Sequence, residues 1–279
     1  MNEPKFILVV GTSAGGLNAL IELVSQFRAD MDMAVFIVMH LSRISISDFL
    51  YHRLKSHTSF TCEIPHTGSV IQSGFLYIAP PDHHLLIKKG TILLGDGPEE
   101  NRWSPSIDLL FRSASSAYSS RVIGLVLTGS LDDGTTGMLA IKQSGGTCIV
   151  QDPKEAEYPD MPLSVLNKME VDYCLPLSKM GDAIFFATQT EPTEIKVSQD
   201  VILDSEITEQ IVVDYKNIKQ LGKKSMFSCP DCGGSLWNIN KQNGNANRYR
   251  CNIGHSYSEK DLGFSKWRYW NLPYGLNFA

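Results

Sequence analysis

The apolar residues of this chain fall into short uninterrupted runs, each followed by a stretch with helical spacing. Residues 6–10, 33–39 and 122–127 are apolar at nearly every position. A strand with one wet face would alternate apolar and polar residues, so these runs predict strands buried on both faces. The helical stretch after the first run carries apolar residues at Leu20, Ile21, Leu23 and Val24. This alternation predicts an α/β fold with a doubly wound, mostly parallel sheet.

The middle of the chain departs from this pattern. A short strand at 75–78 must stop at the two prolines that follow it, and 85–87 with 91–94 predict a small β-hairpin. We expect this section to be antiparallel, as an insertion or an edge of the main sheet. The next helix is predicted to begin with Ser104 as its cap and Pro105 at its first position.

The alternation ends near residue 188, where the composition changes. We predict an α/β domain over 1–188 and a polar linker over 189–224. A small module with clustered cysteines follows over 225–260, and an aromatic tail covers 261–279. The tail has no clear period, so the sequence leaves open whether it docks on the first domain or on a partner.

Composition narrows the class of protein. The chain has 279 residues, of which 43% are apolar and 20% charged, and its net charge is −5. These values are typical of a soluble globular protein, and the negative balance argues against nucleic acid as a partner. No apolar run approaches the roughly 20 residues of a membrane helix, and the first residues lack a signal peptide's basic start. We therefore expect a cytoplasmic protein without membrane insertion, in which Cys62, Cys148 and Cys174 are buried thiols.

Polar side chains follow three of the predicted strands. Ser13 follows the first strand, His40 follows the second, and Asp132 and Asp133 come after the run that ends at residue 127. Parallel strands end at the same edge of a sheet, so these side chains are expected to lie close together. A hydroxyl, an imidazole and a carboxylate are the three groups of a hydrolytic triad.

The glycines around Ser13 leave two interpretations open. Gly11-x-Ser13-x-Gly15 fits the tight strand-to-helix turn of a nucleophile elbow. A helix that begins near Leu17 would place free N–H groups beside Ser13, where they could stabilise an oxyanion or bind a phosphate.

Two hydrolase families with this serine motif can be compared by position. The α/β-hydrolases are excluded, because only twelve residues precede Ser13 and the order is serine, histidine, aspartate. Patatin-like lipases share the serine motif and the pair Asp133-Gly134. They need a glycine-rich oxyanion loop upstream of the serine, for which this chain has no room.

A larger set of motifs occurs in order between residues 6 and 187: Gly11-Thr12-Ser13-Ala14-Gly15-Gly16, Val38-Met39-His40, Tyr77-Ile78-Ala79-Pro80, Asn101-Arg102, Pro105-Ser106-Ile107-Asp108, Leu127-Thr128-Gly129, Asp133-Gly134 and Met161-Pro162. Together they resemble the chemotaxis protein-glutamate methylesterase family, the CheB-type catalytic domain. The resemblance implies a doubly wound α/β domain in which Ser13 is the nucleophile, His40 the base and Asp133 the carboxylate, with no cofactor for catalysis. It also implies hydrolysis of glutamate methyl esters on methyl-accepting chemoreceptors and deamidation of certain glutamines.

The chain departs from the family pattern in two respects. Receptor methylesterases of the family often have threonine after the serine and methionine after Thr-Gly, where this chain has Ala14 and Ser130. Both positions lie near the expected oxyanion site, for which the backbone N–H of Ala14 is our candidate donor. Arg102 is a candidate for holding an acidic segment of the substrate. The chain begins at the first strand of the catalytic domain, so we expect a stand-alone form without the N-terminal receiver domain that many members carry.

The clustered cysteines predict a metal site. Cys229 and Cys232 are separated by two residues, and Cys251 with His255 follows after eighteen more. This is the spacing of a structural zinc site with three cysteines and one histidine in a zinc-ribbon-like module. The alternatives are a redox pair or free thiols. Three aromatic residues are expected to cover the small module: Trp237, Tyr249 and Tyr257.

Three functions follow from these features. The first is a methylesterase that acts on a chemoreceptor or a similar sensory protein. The second is a hydrolase of lipids or small esters, which a fatty-acyl ester would reveal. The third is a non-catalytic scaffold that binds receptors or a receptor methyltransferase through the cysteine module.

Overall fold

The computed structural model describes residues 3–40, 46–95, 100, 103–192, 197, 199, 201–202, 205–206, 223–238, 248–251, 255–259 and 262. The sequence candidate Arg102 and the aromatic tail from residue 263 onward lie outside these residues. Most of the predicted linker lies outside them as well.

Strands and helices alternate through the first two thirds of the chain, and strands follow near its end. The described strands are β1 (Phe6–Thr12), β2 (Met33–Met39), β3 (Thr61–Glu63), β4 (Phe75–Ile78), β5 (His84–Lys88), β6 (Thr91–Gly95), β7 (Val122–Val126), β8 (Thr147–Gln151), β9 (Tyr173–Leu175), β10 (Lys223–Ser228), β11 (Ser235–Asn238), β12 (Arg248–Cys251) and β13 (Ser256–Ser258). The bounded α-helices are α1 (Gly16–Ser25), α2 (Ile46–Lys55), α3 (Ile107–Tyr118), α4 (Thr135–Gln143), α5 (Asp160–Leu166) and α6 (Met180–Gln189). None of the helices in the described part of the chain combines the length and the apolarity needed to cross a bilayer.

The main sheet has seven strands in the order β3-β4-β2-β1-β7-β8-β9. Every pair in it is parallel. The central strand β1 lies between β2 and β7, with Thr12 opposite Met39 and Gly11 opposite Val126. The predicted α/β fold with a mostly parallel sheet is therefore confirmed.

Helices cover both faces of this sheet. Leu8 and Val10 of β1 pack in a cluster with α1, α2 and α6, whereas Ile7 and Val9 pack with α3, α4 and α5 on the other face. All four side chains are 0% exposed. Full burial of an aliphatic side chain contributes about 1.5–3 kcal/mol to folding, so a strand in this position is apolar at consecutive residues.

The prediction that the middle section is antiparallel is wrong for β4. This strand pairs in parallel with β2 and with β3, and it belongs to the main sheet. The antiparallel part is the hairpin of β5 and β6, which forms a separate two-stranded sheet. Its residues Leu85, Ile87 and Ile92 pack in the same apolar cluster as α3.

The start of α3 also differs from the prediction. The helix begins at Ile107, and the residue before it, Ser106, has extended backbone with φ −102° and ψ 136°. Pro105 therefore precedes the helix instead of opening it, and Ser104 is not its cap. The first N–H groups of α3, those of Ile107 and Asp108, donate to the carboxylate of Asp133 in the loop before α4.

The three scattered cysteines do not share one environment. Cys62 and Cys148 are buried as predicted, but Cys174 is exposed. Cys174 lies on β9, which is an edge strand of the main sheet. Burial raises the pKa of the Cys148 thiol to about 12, so this thiol stays protonated at neutral pH.

The C-terminal module is an antiparallel sheet in the order β10-β11-β12-β13. Its first strand starts at Lys223, two residues inside the predicted linker. The predicted aromatic cover is present, because Trp237, Tyr249 and Tyr257 are at most 7% exposed. The module touches the α/β domain at Glu100, which forms a β-bridge with Ser256.

Candidate active site

Ser13 lies directly after the central strand, at the carboxyl edge of the sheet. Its N–H donates to the carbonyl of Thr128 at 3.1 Å, which ties it to the loop after β7. Gly15 has φ +73°, a left-handed conformation that suits glycine, and α1 begins at the next residue. Ser13 is 7% exposed, so its side chain lies at a mostly buried turn before a helix N-terminus.

His40 lies beside Ser13 because their two strands are neighbours. The backbone N–H of His40 donates to the carbonyl of Thr12 at 3.1 Å, which continues the parallel register of β1 and β2 by one residue. The sheet therefore brings the serine and the histidine to adjacent strand ends, as the sequence predicts.

Asp133 comes from the loop between β7 and α4 and meets both His40 and the start of α3. Its carboxylate accepts hydrogen bonds from His40 Nε2 at 2.9 Å and from the N–H of Ile107 at 2.8 Å. It also accepts from the Asp108 and Gly134 N–H groups and from the Ser106 hydroxyl. These five partners all donate to the carboxylate, which matches an ionised carboxylate at a helix N-terminus. The carboxylate that reaches the imidazole is thus that of Asp133, and not that of its neighbour Asp132.

The hydrogen bond to Asp133 fixes which ring nitrogen of His40 remains for other contacts. Nε2 faces the carboxylate, and the side chains of His40 and Asp133 are each 1% exposed. Nδ1 is buried and has no hydrogen-bond partner among the described residues. With the proton on Nε2, Nδ1 carries a lone pair and can accept a proton.

The start of α3 also supports the loop that carries Asp133, through reciprocal contacts between two helix starts. Asp108, in the first turn of α3, accepts from the N–H of Gly137 at 2.7 Å and from the Thr136 hydroxyl, both at the start of α4. Asp133, just before α4, accepts from the start of α3. Each helix therefore receives an anion at its positive end from the other, which fixes the loop that carries Asp133.

Trp103 completes the surroundings of His40, and the sequence analysis did not single it out. Its indole is stacked on the imidazole, with ring centroids 4.0 Å apart and planes 4° from parallel. The two residues are far apart in the sequence and no periodic pattern connects them, so only the adjacent Asn101-Arg102 and Pro105 motifs pointed to this segment.

Two other sequence candidates, Ala14 and Ser130, lie in the turn after β1 and in the loop after β7. Ala14 is half-buried, and its carbonyl accepts from the Thr128 hydroxyl at 3.1 Å. Ser130 is half-buried in the loop that carries Asp133. Gly129 in the same loop donates its N–H to the carbonyl of Tyr158 at 2.9 Å, so this N–H is already occupied.

The four predicted metal ligands converge in the C-terminal module. The candidate ligand atoms of Cys229, Cys232, Cys251 and His255 all lie within 4.8 Å of one another. Cys232 Sγ and Cys251 Sγ are 3.7 Å apart, and His255 Nδ1 is 3.5 Å from Cys229 Sγ and 3.4 Å from Cys251 Sγ. A tetrahedron with Zn–S bonds of about 2.3 Å and a Zn–N bond of about 2.0 Å requires ligand separations of about 3.5–3.8 Å. The residues present therefore fit a zinc ion.

Two backbone hydrogen bonds and a tyrosine hold these ligands. Cys229 donates its N–H to Gly234 O at 2.7 Å, and Cys251 donates its N–H to His255 O at 2.9 Å. The Tyr257 hydroxyl lies 3.4 Å from Cys229 Sγ and donates to the Asp231 carboxylate. Burial, together with the hydrogen bonds to Asp231 and Cys229, raises the pKa of Tyr257 well above its usual value, so the hydroxyl remains a donor.

Ser13 and His40 lie at the ends of parallel strands and Asp133 lies in the loop after β7, in an α/β protein. A hydroxyl, an imidazole and a carboxylate are the three groups of a hydrolase-type site. The family model of the CheB methylesterase matches residues 8–184. The chain belongs to the CheB methylesterase family.

Individual relatives agree with this assignment. A protein of Leptospira interrogans is 36% identical over 176 residues, which make up 63% of this chain and 91% of that protein. Protein-glutamate methylesterase/protein-glutamine glutaminase 2 of Methanosarcina mazei is 35% identical over 186 residues, and the match covers 64% of this chain and 50% of that protein. The chain thus spans about half the length of the Methanosarcina relative. The crystal structure of the Thermotoga maritima CheB methylesterase catalytic domain superposes with a TM-score of 0.62 at 29% identity, over 67% of this chain and 99% of that chain.

Proposed function

We propose that this protein is a serine hydrolase that demethylates glutamate methyl esters of chemoreceptors in the cytoplasm and deamidates some of their glutamines. The observation that carries the proposal is the hydrogen bond of 2.9 Å between His40 Nε2 and Asp133, at the strand end next to Ser13. Matches to relatives whose names include both activities support the same substrate class. Residues 1–188 would form the catalytic domain.

The proposed chemistry has two stages. His40 Nδ1 takes the proton of the Ser13 hydroxyl as the oxygen attacks the ester carbonyl, and Asp133 stabilises the imidazolium through Nε2. The imidazolium then protonates the departing methoxide, so methanol leaves and an acyl-enzyme remains. Water, deprotonated by the same nitrogen, releases the glutamate and restores the serine. With a glutamine substrate, ammonia leaves in place of methanol.

The oxyanion of each tetrahedral intermediate needs fixed donors. The backbone N–H of Ala14 is the proposed donor, because it lies one residue before Gly15 at the start of α1, where the helix dipole favours negative charge. Ser130 and Arg102 are proposed to contact the substrate near this position. Neither Asp133 nor His40 needs a metal for these steps.

The test is methanol release from a chemoreceptor fragment that carries labelled glutamyl methyl esters. We expect purified protein to release labelled methanol from this fragment and to act far more slowly on a fatty-acyl ester. The reverse preference would contradict a receptor substrate and support a lipid or small-ester hydrolase.

A methyl group added at Gly129 is expected to disturb Ser13. A Cβ built at this position lies 2.1 Å from Met161 Sδ and 2.8 Å from Ser13 Cβ, so a neighbour must move. We expect Gly129→Ala to lower kcat/KM about tenfold to a hundredfold and to cost about 1–3 kcal/mol of stability. Steady-state hydrolysis and thermal unfolding measure both effects.

The matched control is Gly95→Ala in the β5–β6 hairpin. A Cβ built there meets its nearest atom at 3.5 Å, which is an ordinary contact. This variant should hydrolyse and melt like the unmodified protein. Equal activity of both variants would show that the Gly129 loop does not position Ser13.

We also propose that Cys229, Cys232, Cys251 and His255 bind a structural zinc ion. Three ligand separations of 3.4–3.7 Å and the two backbone N–H···O bonds of Cys229 and Cys251 support this proposal. All four positions of a tetrahedron are supplied by the chain, which is the pattern of a structural site. The small module has few apolar residues of its own, so its folding would depend on the metal.

Loss of one ligand should abolish zinc binding. We expect Cys251→Ser to lower the zinc content from about one ion per chain to below about one tenth, because three ligands bind zinc far more weakly. Elemental analysis of purified protein measures this content. Cys174→Ser, at an exposed thiol outside the cluster, is the matched control and should keep the metal. Zinc-free unmodified protein would contradict the proposal.

A further inference from the structure

The indole of Trp103 covers one face of the His40 ring. The two ring planes are nearly parallel, at 4°, with centroids 4.0 Å apart. The imidazole is otherwise held by a single hydrogen bond, from Nε2 to Asp133. A ring held at one atom can still rotate about its Cβ–Cγ bond, because this torsion has broad minima. A flat partner on the ring face restricts that rotation and thereby the direction of Nδ1.

Trp103 is itself held by Glu100. Trp103 donates its N–H to Glu100 O at 2.9 Å, and Glu100 donates its N–H to Trp103 O at 3.1 Å. These two backbone bonds tie Trp103 to Glu100. A displacement of Glu100 would therefore be passed directly to the backbone of Trp103.

Glu100 connects the α/β domain with the C-terminal module. Its side chain is 1% exposed, and it pairs with Arg112 of α3 through a close contact. Arg250 Nη2 of β12 lies 4.0 Å from its other oxygen, and Arg250 immediately precedes the metal-ligand candidate Cys251. The β-bridge between Glu100 and Ser256 of β13 adds a backbone contact.

A buried carboxylate between two buried guanidinium groups is sensitive to the loss of either one. Removal of one partner of a buried ion pair leaves charge uncompensated, which displaces the remaining group or weakens the fold. Arg250 is 4% exposed and Arg112 is 5% exposed in its side chain, so water does not readily replace a lost partner.

We propose that Trp103 is a positioning residue for His40 and that the C-terminal module holds Trp103 in place through Arg250, Ser256 and Glu100. The module then acts on the active site through these contacts. The catalytic part of this inference rests on the proposed esterase function, whereas the contact from the module to Trp103 does not.

The first test compares two substitutions of Trp103. Trp103→Leu removes the flat ring and should lower kcat about tenfold or more, with KM within about twofold, because it misdirects the base without removing a substrate contact. Trp103→Phe keeps a stacking ring and should retain kcat within about threefold. Unchanged kcat for Trp103→Leu, or equal losses in both variants, would overturn the positioning role.

The second test uses the fluorescence of Trp103 and needs no substrate. A protonated imidazole stacked on an indole quenches its emission, so the emission of Trp103 should be lower when the His40 ring is protonated than when it is neutral. The charged groups in contact with His40, or with the residue that holds Trp103, are Asp133 at His40 Nε2 and Glu100 with Arg112 and Arg250. Arg112 also lies 3.8 Å from the Asp108 carboxylate. The difference between the unmodified protein and Trp103→Phe isolates this signal, and His40→Asn should abolish it.

Arg250 supplies the decisive comparison for the module. Arg250→Met removes one cation beside Glu100, and we expect the pH-dependent quenching to lose at least half of its amplitude. The matched control is Lys224→Met, which removes a cation from an exposed position of β10 and should leave the amplitude unchanged. Removal of zinc with a chelator should act like Arg250→Met.

The possible results separate this inference from the proposed function. Full quenching in Arg250→Met would overturn the link to the module even if the protein is an active esterase. Reduced quenching in a protein without esterase activity would support the link and would contradict the proposed function alone.

Discussion

Ser13→Ala is expected to abolish methanol release from a methylated receptor fragment. The substitution removes the oxygen that would form the acyl-enzyme, and loss of such a nucleophile lowers kcat by about 10⁴- to 10⁶-fold. Oxyanion donors and the substrate-binding surface remain, so KM should change little. The same loss should appear with glutamine substrates, because both reactions would pass through the same acyl-enzyme. Single-turnover release of labelled methanol measures the effect.

The fold should tolerate this change. Only one hydroxyl is removed, and the backbone N–H of Ser13 keeps its bond to Thr128. We expect a stability change within about 0.5–1 kcal/mol, measured by thermal unfolding. Ser25→Ala at the other end of α1 is the matched control, because its exposed hydroxyl bonds only within the helix, to Glu22 O, and the variant should keep full activity. Undiminished hydrolysis by Ser13→Ala would refute the nucleophile assignment, and the scaffold hypothesis would gain support if binding to the receptor persisted.

The positions of Ser13 and His40 could be predicted because both residues follow uninterrupted apolar runs in the sequence. Two buried parallel strands must be apolar throughout, so the first polar residue after each strand marks its end. Parallel neighbours then place these ends side by side, and the register of Thr12 opposite Met39 agrees with that expectation. Topology supplied the remaining step, since sequential strands of an α/β fold are usually adjacent.

The surroundings of His40 could not be predicted in the same way. Trp103 and Glu100 lie in a short segment with no periodic pattern, and Glu100 pairs with Arg112 and Arg250 across the fold. Contacts between residues that are distant in the sequence leave no trace in hydrophobic periodicity. An arginine and a glutamate read from sequence alone are ordinary surface residues, and only their burial shows that they form a buried ionic group.

The error in the middle of the chain has a related cause. β3 has three residues and β4 has four, so neither gives enough positions for a parallel strand to be distinguished from a hairpin strand. The structure pairs β4 with β2 at Val35 and Leu76, a contact made possible by the chain that crosses over through α2. Short strands take their direction from tertiary packing and not from their own sequence.

The role of Asp133 could be predicted from the sequence only in part. Its residue type and its place after a strand were predictable. The choice between Asp132 and Asp133 did not follow from the strand pattern, because it depends on the N-terminus of α3. Only the structure shows that one carboxylate, that of Asp133, binds Ile107, Asp108 and His40 together. The same side chain thus fixes a helix start and the tautomer of the base. A change at this residue should therefore alter both stability and the proton position on His40.

Asp133→Asn is expected to lower kcat by about 10³- to 10⁴-fold. An amide offers one oxygen and one NH₂ group, whereas the five hydrogen-bond partners of Asp133 described above all donate to it. If the NH₂ group faces Ile107 and His40, Nε2 must become the acceptor and the ring proton moves to Nδ1. His40 can then no longer accept the proton of Ser13. If the NH₂ group faces the other way, it meets the N–H groups of Asp108 and Gly134, and the start of α3 loses stability by about 1–3 kcal/mol.

Steady-state kinetics and thermal unfolding distinguish the two amide orientations, and Asp132→Asn is the matched control. Asp132 lies next to Asp133 and is half-buried, but its carboxylate is not the one that binds His40. Its amide variant should keep kcat within about threefold. A large loss of kcat for Asp132→Asn with a small loss for Asp133→Asn would show that Asp132, and not Asp133, has the carboxylate role. A large loss in kcat for Asp133→Asn without any change in KM would show that this carboxylate acts on the proton of His40 and not on the substrate.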